Sequence, residues 1–541
     1  MPALAIATLA AVFYVAVNAG DRDIGFVSDD GVYLLMADSY WAPPGELLPV
    51  HDDITRVTHL APGWPLLLGA VGAGIDTPER AVPVQAVLIA LLAVLAGALA
   101  RALGAPPSLS LLSVLLVALM PQSLLRSQGI WSEFLFVALV LAALLAATRT
   151  DRDGNNWWLL ALLAGLSALV RDAGLVLILA LLLHLAHRRP PRAAAIAAVA
   201  LLPYLANRIS HAALGGSSTY YGDLLRGLER IADGGLAAVS RIGMDLWGGT
   251  LRMLAEPQAV SWPPVVLPLL AGLVLLSALP VLVARLRRVE ADAWFLVGTV
   301  LLVAIWPYRG ADFASRFLYP IAPLLIIYSL LGLSRRLPSG VAALPLCVLM
   351  VPAMLAMILA LLRPLPGAPP GYRHNQSVLL AGDPAVAVQR SRYLAELSRV
   401  LREAGDALPP AACVAALRTG VVVANAKRPG RQLPEPADLR AALDAGRPLS
   451  ASSGCPATLA INLEADAAYP PVYPMTLLPP AAGYRYTVFE GNWRGRSEVL
   501  AVLIRDPEPG GAGVEKNALT PRSPSRQVLV SRPQWKGSGD S

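Results

Sequence analysis

The sequence predicts a polytopic α-helical membrane protein, in which about eleven transmembrane helices precede a small C-terminal exoplasmic α/β domain. Hydrophobic residues make up 55% of the 541 residues and charged residues only 15%, whereas soluble proteins carry about 25% charged residues. Apolar runs close to membrane-spanning length recur through the first two thirds of the chain. The last third alternates instead between short apolar runs and turn residues, which is typical of strands.

This composition excludes a disordered chain, a small disulfide-stapled secreted protein and an ordinary cytosolic enzyme. The net charge of +7 comes from 44 basic and 37 acidic residues. No basic stripe interleaved with aromatic residues occurs, so the excess does not indicate nucleic-acid binding. The three cysteines, Cys347, Cys413 and Cys455, form no CxxC motif and are too few for a zinc site. Cys413 and Cys455 could pair with each other if their segment lies in an oxidising compartment.

The apolar runs define eleven predicted spans, which make up a transmembrane domain over residues 1–362. They fall at about 3–19, 82–101, 106–125, 129–148, 157–170, 174–187, 193–210, 263–284, 293–308, 317–333 and 340–362. Arginines follow every second span, beginning with Arg101. Because cytoplasmic loops carry the excess of arginine, this alternation predicts a cytoplasmic N-terminus and an exoplasmic C-terminus. The exoplasmic face then carries the first loop, residues 20–81, residues 211–262 and everything after the last span.

The C-terminal part is predicted to be an exoplasmic α/β domain over residues 363–505. A surface helix is expected over Ala385–Ala404, because apolar residues follow one helical face there. Five short apolar runs separated by Pro, Gly and Asn predict strands at 412–417, 420–425, 457–463, 484–489 and 498–504. Residues 506–541, rich in Pro, Gly and Ser, are predicted to be a disordered tail.

A pair of carboxylates marks the first exoplasmic loop as the most informative segment. Ser28, Asp29 or Asp30 is expected to cap a short helix that runs to about Trp41 along the membrane surface. Asp29 and Tyr33 are four residues apart, so they share one face of that helix. An acidic pair before a helix can also serve only to cap the helix and to favour its dipole. From these residues alone, that alternative stays open.

Further motifs follow the acidic pair in order along the chain. They are His59-Leu-Ala-Pro-Gly-Trp-Pro-Leu-Leu-Leu68, Trp131-Ser-Glu-Phe-Leu-Phe136, Gly165-Leu-Ser-Ala-Leu-Val-Arg-Asp-Ala-Gly-Leu175 and Arg316-Phe-Leu-Tyr-Pro-Ile-Ala-Pro323. Over about residues 20–325 the ordered set resembles the integral-membrane glycosyltransferases of the C-type superfold. It is most similar to the branch that holds the protein O-mannosyltransferases and the lipid A aminoarabinose transferases.

The chain departs from the pattern of these families at four positions. Asp30 stands where the families usually have Glu, and Ala61 and Asp172 each replace a proline. Leu60 stands where many members carry a lysine. Any basic phosphate contact from this part of the first loop would therefore pass to the neighbouring His59.

The resemblance implies an enzyme that joins a sugar carried on a polyprenyl phosphate to an acceptor hydroxyl. Asp29 and Asp30 are then the expected catalytic pair, with Asp29 as the general base. Cations must hold the phosphate as charge builds on the leaving oxygen, and arginine suits this because it stays charged and binds through two hydrogen bonds. The expected phosphate-binding residues are His59, Arg171, Arg316, Arg126 and Arg309, and the expected pocket residues are Tyr33, Glu133 and Trp64.

Some of these residues could instead have a purely structural role. Arg126 and Arg309 are also typical of snorkelling or paired interfacial arginines. Glu133 is equally expected to be the ion-pair partner of one of the arginines.

The implied partners are a polyprenyl-phosphate-linked sugar donor, a glycan, lipid or protein acceptor, and membrane lipid. No cofactor is implied, and a divalent metal is compatible with the chemistry but not indicated. The expected location is the plasma (inner) membrane of a bacterium. The alternatives are a lipid or polysaccharide transporter or flippase, and a non-catalytic membrane protein of envelope assembly. A transporter would be expected to show two related halves with charges near the midplane, whereas the charges here gather at one predicted face.

Overall fold

A computed structural model describes residues 1–19, 30–41, 60–153, 157–188, 190–213, 219–257, 259–307, 310–362, 396–409, 412–416, 425–426, 430–432, 455, 457–461, 485–493 and 496–505. The chain divides into two compact units. The first comprises Met1–Asp21, Val57–Leu365 and Arg373–Gly382, and the second comprises Arg22–Arg56, Pro366–Tyr372 and Asp383–Ser541.

Helices are numbered here in chain order. They are α1 Pro2–Asn18, α2 Asp30–Trp41, α3 Gly63–Ala70, α4 Ala81–Ala102, α5 Pro107–Leu119, α6 Pro121–Arg126, α7 Glu133–Asp153, α8 Trp157–Val170, α9 Gly174–Arg188, α10 Pro190–Ala213, α11 Thr219–Ala255, α12 Val266–Arg287, α13 Ala291–Ile305, α14 Ala311–Leu318, α15 Ala322–Ser334 and α16 Ser339–Leu362. Helix α2 belongs to the second unit and the others belong to the first.

A helix or a pair of helices lies over each predicted apolar run in the described part of the chain. Five helical stretches there are long and apolar enough to cross a membrane: Pro78–Ala102, Pro107–Arg126, Val266–Arg287, Ala311–Ser334 and Ser339–Leu362. Shorter apolar helices accompany them. The chain is therefore an integral membrane protein, while the count of eleven spans and their orientation stay predictions.

Proline interrupts two of the predicted spans. The run predicted at 106–125 is not one helix, because α5 ends at Leu119 and α6 begins at Pro121. A proline pushes the preceding residue out of the helical region, and Met120 is extended, with φ −58° and ψ 148°. A 3₁₀ turn that contains Pro320 separates α14 from α15, and there the preceding Tyr319 keeps helical angles, with φ −49° and ψ −39°. Both breaks lie where polar side chains gather.

The helices of the first unit pack closely enough to bring two backbones into contact. Helix α4 packs against α1, α5 and α7, while α12 packs against α15. A Cβ built on Gly332 of α15 would lie 1.8 Å from the carbonyl oxygen of Ser277 in α12. Small residues allow this approach between membrane helices, so Gly332 is required by space.

The substitution Gly332→Ala is expected to force α12 and α15 apart and to destabilise the protein by about 1–3 kcal/mol, the usual cost of overpacking. Gly272→Ala on α12 is the matched control, because a Cβ there meets nothing within 4 Å and alanine favours the helix. Thermal unfolding of the purified protein in detergent should show a lower midpoint than wild type for Gly332→Ala and no decrease for Gly272→Ala. Equal midpoints would contradict the packing.

The second unit contains a mixed five-stranded sheet. Its strands are β1 Val414–Ala416, β2 Gly430–Gln432, β3 Ala457–Ile461, β4 Arg485–Trp493 and β5 Arg496–Arg505. The order across the sheet is β2-β1-β3-β5-β4, with β1 parallel to β2 and β3, and β5 antiparallel to β3 and β4. A helix over residues 396–406 also belongs to this unit.

Four of the five strand predictions are confirmed by β1, β3, β4 and β5. The run predicted at 420–425 lies outside the described residues except for Asn425, which is helical. Strand β2 was not predicted, because Gly430, Arg431 and Gln432 follow no apolar pattern. The first part of the predicted surface helix and the tail 506–541 lie outside the described residues. The bounds 363–505 for an α/β domain stay a prediction.

Cys413 and Cys455 form a disulfide, which bears out the pairing that the sequence left open. Their Cα atoms lie 5.1 Å apart. The two cysteines precede β1 and β3, and these strands pair in parallel with Val414 opposite Ala457. The bond closes a sequence separation of 42 residues, and Cys455 is fully buried. Cys347 in α16 is a free thiol.

We expect a maleimide mass tag to label one cysteine in the denatured, unreduced protein and three after reduction. Cys347→Ser should remove the label from the unreduced protein, because the other two thiols are bonded. A gel-shift assay on membranes prepared without reductant measures the count. Three labels without reductant would contradict both the disulfide and an oxidising location for this unit. Loss of the bond should cost about 2–5 kcal/mol of stability.

Candidate functional site

Four residues that the sequence proposed for the site come together in the first unit. Arg126 ends α6, Glu133 begins α7, Arg171 follows the last residue of α8, and Arg316 lies in α14. We call these four residues the arginine cluster. Each lies at or beside a helix end or break, so a polar group there avoids the middle of an apolar span.

The turn that carries Arg171 is the tight hairpin expected between two apolar helices. Helix α8 ends at Val170 and α9 begins at Gly174. A Cβ on Gly174 would lie 2.4 Å from the backbone nitrogen of Ala168. Only glycine fits this close return of the chain, and the return leaves Arg171 at the turn rather than within a helix.

Glu133 is the centre of the arginine cluster. Its side chain is fully buried, and its Oε1 accepts hydrogen bonds from Arg316 Nε at 2.7 Å and from Arg171 Nη1 at 2.8 Å. Arg171 Nη1 also donates to the hydroxyl of Ser132 at 3.2 Å. A buried carboxylate that binds two guanidinium groups holds both of them in fixed positions. The expectation that Glu133 pairs with an arginine is therefore confirmed.

Trp131 lies against two of the three arginines. The guanidinium carbon of Arg316 is 4.3 Å from the centroid of the indole ring, and that of Arg126 is 5.0 Å from it. Both distances are those of cation–π contacts. Arg126 is only 3% exposed, so it is a buried residue of the cluster and not a snorkelling arginine.

The arginine cluster carries more positive than negative charge. Three guanidinium groups surround one carboxylate, which leaves a formal charge of +2 among these four residues. Arg126 lies close enough to interact electrostatically with Glu133, Arg316 and Arg171, yet its buried Nε has no hydrogen-bond partner among the described residues. Buried charges are normally paired. The arrangement is therefore suited to an anion that accepts several hydrogen bonds.

Aromatic and hydroxyl side chains that the sequence analysis did not assign to the site surround the arginine cluster. Phe317 lies 5.7 Å from the guanidinium carbon of Arg171. Tyr319 is fully buried, shares a hydrogen bond of 3.0 Å with Ser123, and packs edge-on against Phe134. Phe317 and Tyr319 stand in the Arg316 motif itself, so their place in the sequence was the available signal.

Two nearby acidic residues are paired elsewhere. Asp172 forms an ion pair with Arg208, whose guanidinium lies 5.1 Å from the ring of Tyr204. Asp312 forms an ion pair with Arg252 of α11. Within the described ranges, no group of three or more His, Cys, Asp or Glu side chains could hold a metal ion.

The acidic pair of the first loop is described only in part. Helix α2 confirms the predicted helix that runs to Trp41. Asp30 is 4% exposed and its Oδ1 accepts a hydrogen bond from the Gly31 N–H at 2.9 Å. Tyr33 is buried on the same helix.

The remaining predicted residues are Trp64, Asp29, His59 and Arg309. Trp64 is fully buried in α3, whose Gly63 meets the α8 backbone: a Cβ there would lie 2.9 Å from the carbonyl oxygen of Leu169. Asp29, His59 and Arg309 lie outside the described residues, and their roles stay predictions.

An apolar cavity of about 250 Å³ lies in the first unit between α11, α12, α13 and the helices α14 and α15. Its lining residues are Leu246, Thr250, Leu275, Ala278, Leu279, Leu282, Leu296, Val300, Leu318, Ile321, Leu325 and Tyr328. Leu246 also lines a smaller hollow against Trp306 and Phe317. Phe317, which contacts Arg171, therefore lines this smaller hollow.

Comparison with known proteins identifies the fold. No protein-family model and no curated protein matches the chain. The solved structure of ArnT from Cupriavidus metallidurans in the apo state aligns with a TM-score of 0.53 at 10% identity, over 92% of this chain and 97% of that chain. The archaeal oligosaccharyltransferase AglB from Archaeoglobus fulgidus, in complex with an inhibitory peptide and a dolichol-phosphate, aligns with a TM-score of 0.47 at 14% identity, over 85% and 69%.

The likeness to ArnT extends over nearly the whole of both chains, but at this identity it establishes the fold alone. This fold is the one expected from the ordered motifs of the first loop and of the arginine cluster. The chain therefore has the fold of the ArnT structure, in agreement with the C-type superfold that the motifs led us to expect.

Proposed function

We propose that this protein transfers a sugar from a polyprenyl-phosphate-linked donor to an acceptor hydroxyl at the exoplasmic face of a bacterial inner membrane. The observation that carries the proposal is the arginine cluster, in which two guanidinium groups pair with one buried carboxylate and a third lies beside them against Trp131. A phosphodiester supplies the missing negative charge and several acceptor oxygens. Arginine binds such oxygens in pairs and stays charged.

The arginines act on the leaving group. When the bond between the anomeric carbon and the phosphate oxygen breaks, its electron pair passes to that oxygen and negative charge builds there. Donors that are already in position stabilise this charge without reorganisation. Glu133, Trp131 and Ser132 hold Arg171 and Arg316 in place before the donor arrives. The residual charge therefore favours the transition state and the phosphate product.

The apolar cavity provides a place for the lipid part of the donor. A polyprenyl chain must leave the phosphate through apolar surroundings, since polar groups beside it would lose their hydrogen bonds to water. Leu246 lines both the cavity of about 250 Å³ and the smaller hollow, which Phe317 lines beside Arg171. The cavity holds a few isoprene units, and the rest of the chain would lie in the bilayer.

The acceptor is activated by a carboxylate of the first loop. Asp29 removes the acceptor proton as the acceptor oxygen attacks the anomeric carbon from the side opposite the phosphate, which inverts that carbon. Asp30 and Tyr33 support Asp29 or bind the acceptor, and His59 and Arg309 add positive charge toward the phosphate. These roles rest on the motif resemblance and on the buried position of Asp30 at the start of α2.

Asp29→Asn is expected to abolish sugar transfer, because an amide cannot accept the acceptor proton. Asp38→Asn in α2 is the control and should keep at least half of the activity. The measurement is transfer of radiolabelled sugar from polyprenyl phosphate in membranes of a strain that lacks the wild-type chain. Equal expression and equal size-exclusion profiles establish folding. Near-normal transfer in the Asp29 variant would overturn the assignment of the base.

Glu133→Gln should destabilise the ligand-free protein by about 3–5 kcal/mol, because it removes the carboxylate partner of buried arginines. A phosphate-bearing lipid should restore part of that loss by supplying the negative charge. Farnesyl phosphate is therefore expected to raise the unfolding midpoint of this variant more than that of the wild type.

Asp292→Asn is the control for this experiment. It breaks a comparable buried pair with Arg285, and we expect it to destabilise the protein without any added response to farnesyl phosphate. An equal response of both variants would contradict a phosphate site at the arginine cluster.

A further inference from the structure

The segment between α5 and α7 concentrates buried polar side chains beside the arginine cluster. Gln122 and Ser123 are fully buried, and Arg126, Ser127 and Gln128 are 3%, 3% and 6% exposed. Gln122 and Arg126 are four residues apart on α6, so they share one face. A glutamine of α4, Gln85, reaches the same segment and is 2% exposed.

Each of the three glutamines uses its amide N–H group within the protein. Gln85 Nε2 donates to the carbonyl of Gly129 at 2.9 Å, and Gln128 Nε2 donates to Asn18 Oδ1 at 2.9 Å. Gln122 Nε2 donates to the carbonyl oxygen of Arg252 at 3.3 Å. The three amide oxygens are buried and accept no hydrogen bond from any described residue.

Two buried donors accompany these three acceptors. The indole N–H of Trp131 and the Nε–H of Arg126 have no acceptor within the described part of the chain. A Cβ on Gly129 would lie 2.5 Å from Trp131 Nε1, so this donor lies against the residue that also binds Gln85. Gly129 is partly exposed, whereas the polar side chains around it are buried.

Proteins satisfy nearly all of their buried polar atoms, so five such atoms around one short segment indicate a ligand with matching groups. A phosphate has only acceptors, and it cannot donate to three amide oxygens. A hydroxyl both donates and accepts. We propose that Gln85, Gln122, Gln128 and Trp131 form the subsite for the donor's sugar, and that this sugar is neutral and rich in hydroxyl groups.

The proposed sugar subsite lies next to the phosphate-binding arginines, as the structure of the donor requires. In a polyprenyl-phosphate sugar, the sugar is bonded directly to the phosphate, and Arg126 belongs to both groups of residues. The proposal rests in this respect on the proposed function. An amino sugar is disfavoured, because the three guanidinium groups of the arginine cluster outnumber the two buried carboxylates nearby, Glu133 and Glu256. Glu256 already accepts a hydrogen bond of 3.4 Å from Gln122.

The test compares four short lipids on the full-length protein in nanodiscs. Farnesyl phosphate carries no sugar, farnesyl phosphomannose and farnesyl phosphoarabinose carry neutral sugars, and farnesyl phospho-4-amino-4-deoxyarabinose carries a cationic one. Microscale thermophoresis gives the Kd of each lipid. The wild type should bind at least one neutral-sugar lipid more tightly than farnesyl phosphate, and more tightly than the aminoarabinose lipid.

Gln128→Leu and Gln85→Leu should each lower the ratio of the Kd for farnesyl phosphate to the Kd for the neutral-sugar lipid about tenfold. This change corresponds to the loss of one or two hydrogen bonds. Their Kd for farnesyl phosphate should stay within about twofold of wild type, and that value also reports an intact fold. Ser113→Ala is the matched control, because this buried hydroxyl bonds the Leu109 carbonyl within α5 at 2.9 Å. It should change none of the four affinities.

The outcomes separate this inference from the proposed function. If the wild type binds no farnesyl phosphate, both are wrong. If farnesyl phosphate binds but the glutamine variants keep the full preference for every neutral sugar, only the sugar subsite is wrong, and water alone satisfies the glutamines. Tightest binding of the aminoarabinose lipid would also overturn it.

Discussion

The polar centre of the helical unit depends on one buried carboxylate. Glu133 stands at the first residue of α7 and accepts hydrogen bonds from Arg171, at the end of α8, and from Arg316 in α14. Without it, one buried and two partly buried guanidinium groups would lie together with no negative charge among them. With it, two of them are fixed and the third lies against Trp131. The cluster is stable enough to form and still positive enough to attract an anion.

Charge balance distinguishes this cluster from a second buried network at the ends of α9 and α12 and the start of α13. There Arg285 binds both carboxylate oxygens of Asp292 at 2.8 Å, and Tyr328 donates to Asp292 at 2.6 Å. Arg188 pairs with Glu290 at 2.7 Å. Two arginines meet two carboxylates, so the formal charges of these two pairs balance. The arginine cluster has an excess of cations, which suits it to an anionic ligand.

Part of the site was predictable because the relevant residues stand in short motifs whose order along the chain is informative. Arg171, Arg316 and Glu133 were found in this way, and so was the helix that ends at Trp41. The role of Trp131 was not predicted, although it stands two residues before Glu133. Nothing local indicates that one indole ring will contact two arginines that lie far from each other in the chain. The glutamines were missed for the same reason, since isolated amides follow no motif.

The sequence by itself determined the membrane class and the positions of the apolar helices, and the order of its motifs indicated the fold. Hydropathy and helix breaks depend on residues that are near each other in the chain, and a proline such as Pro121 acts on its own neighbour. Only the tertiary structure decided which charge meets which. Arg171 turns to Glu133 while the adjacent Asp172 turns to Arg208, and Arg316 reaches a carboxylate 183 residues away. Such pairs are set by the packing of whole helices, and no local pattern encodes them.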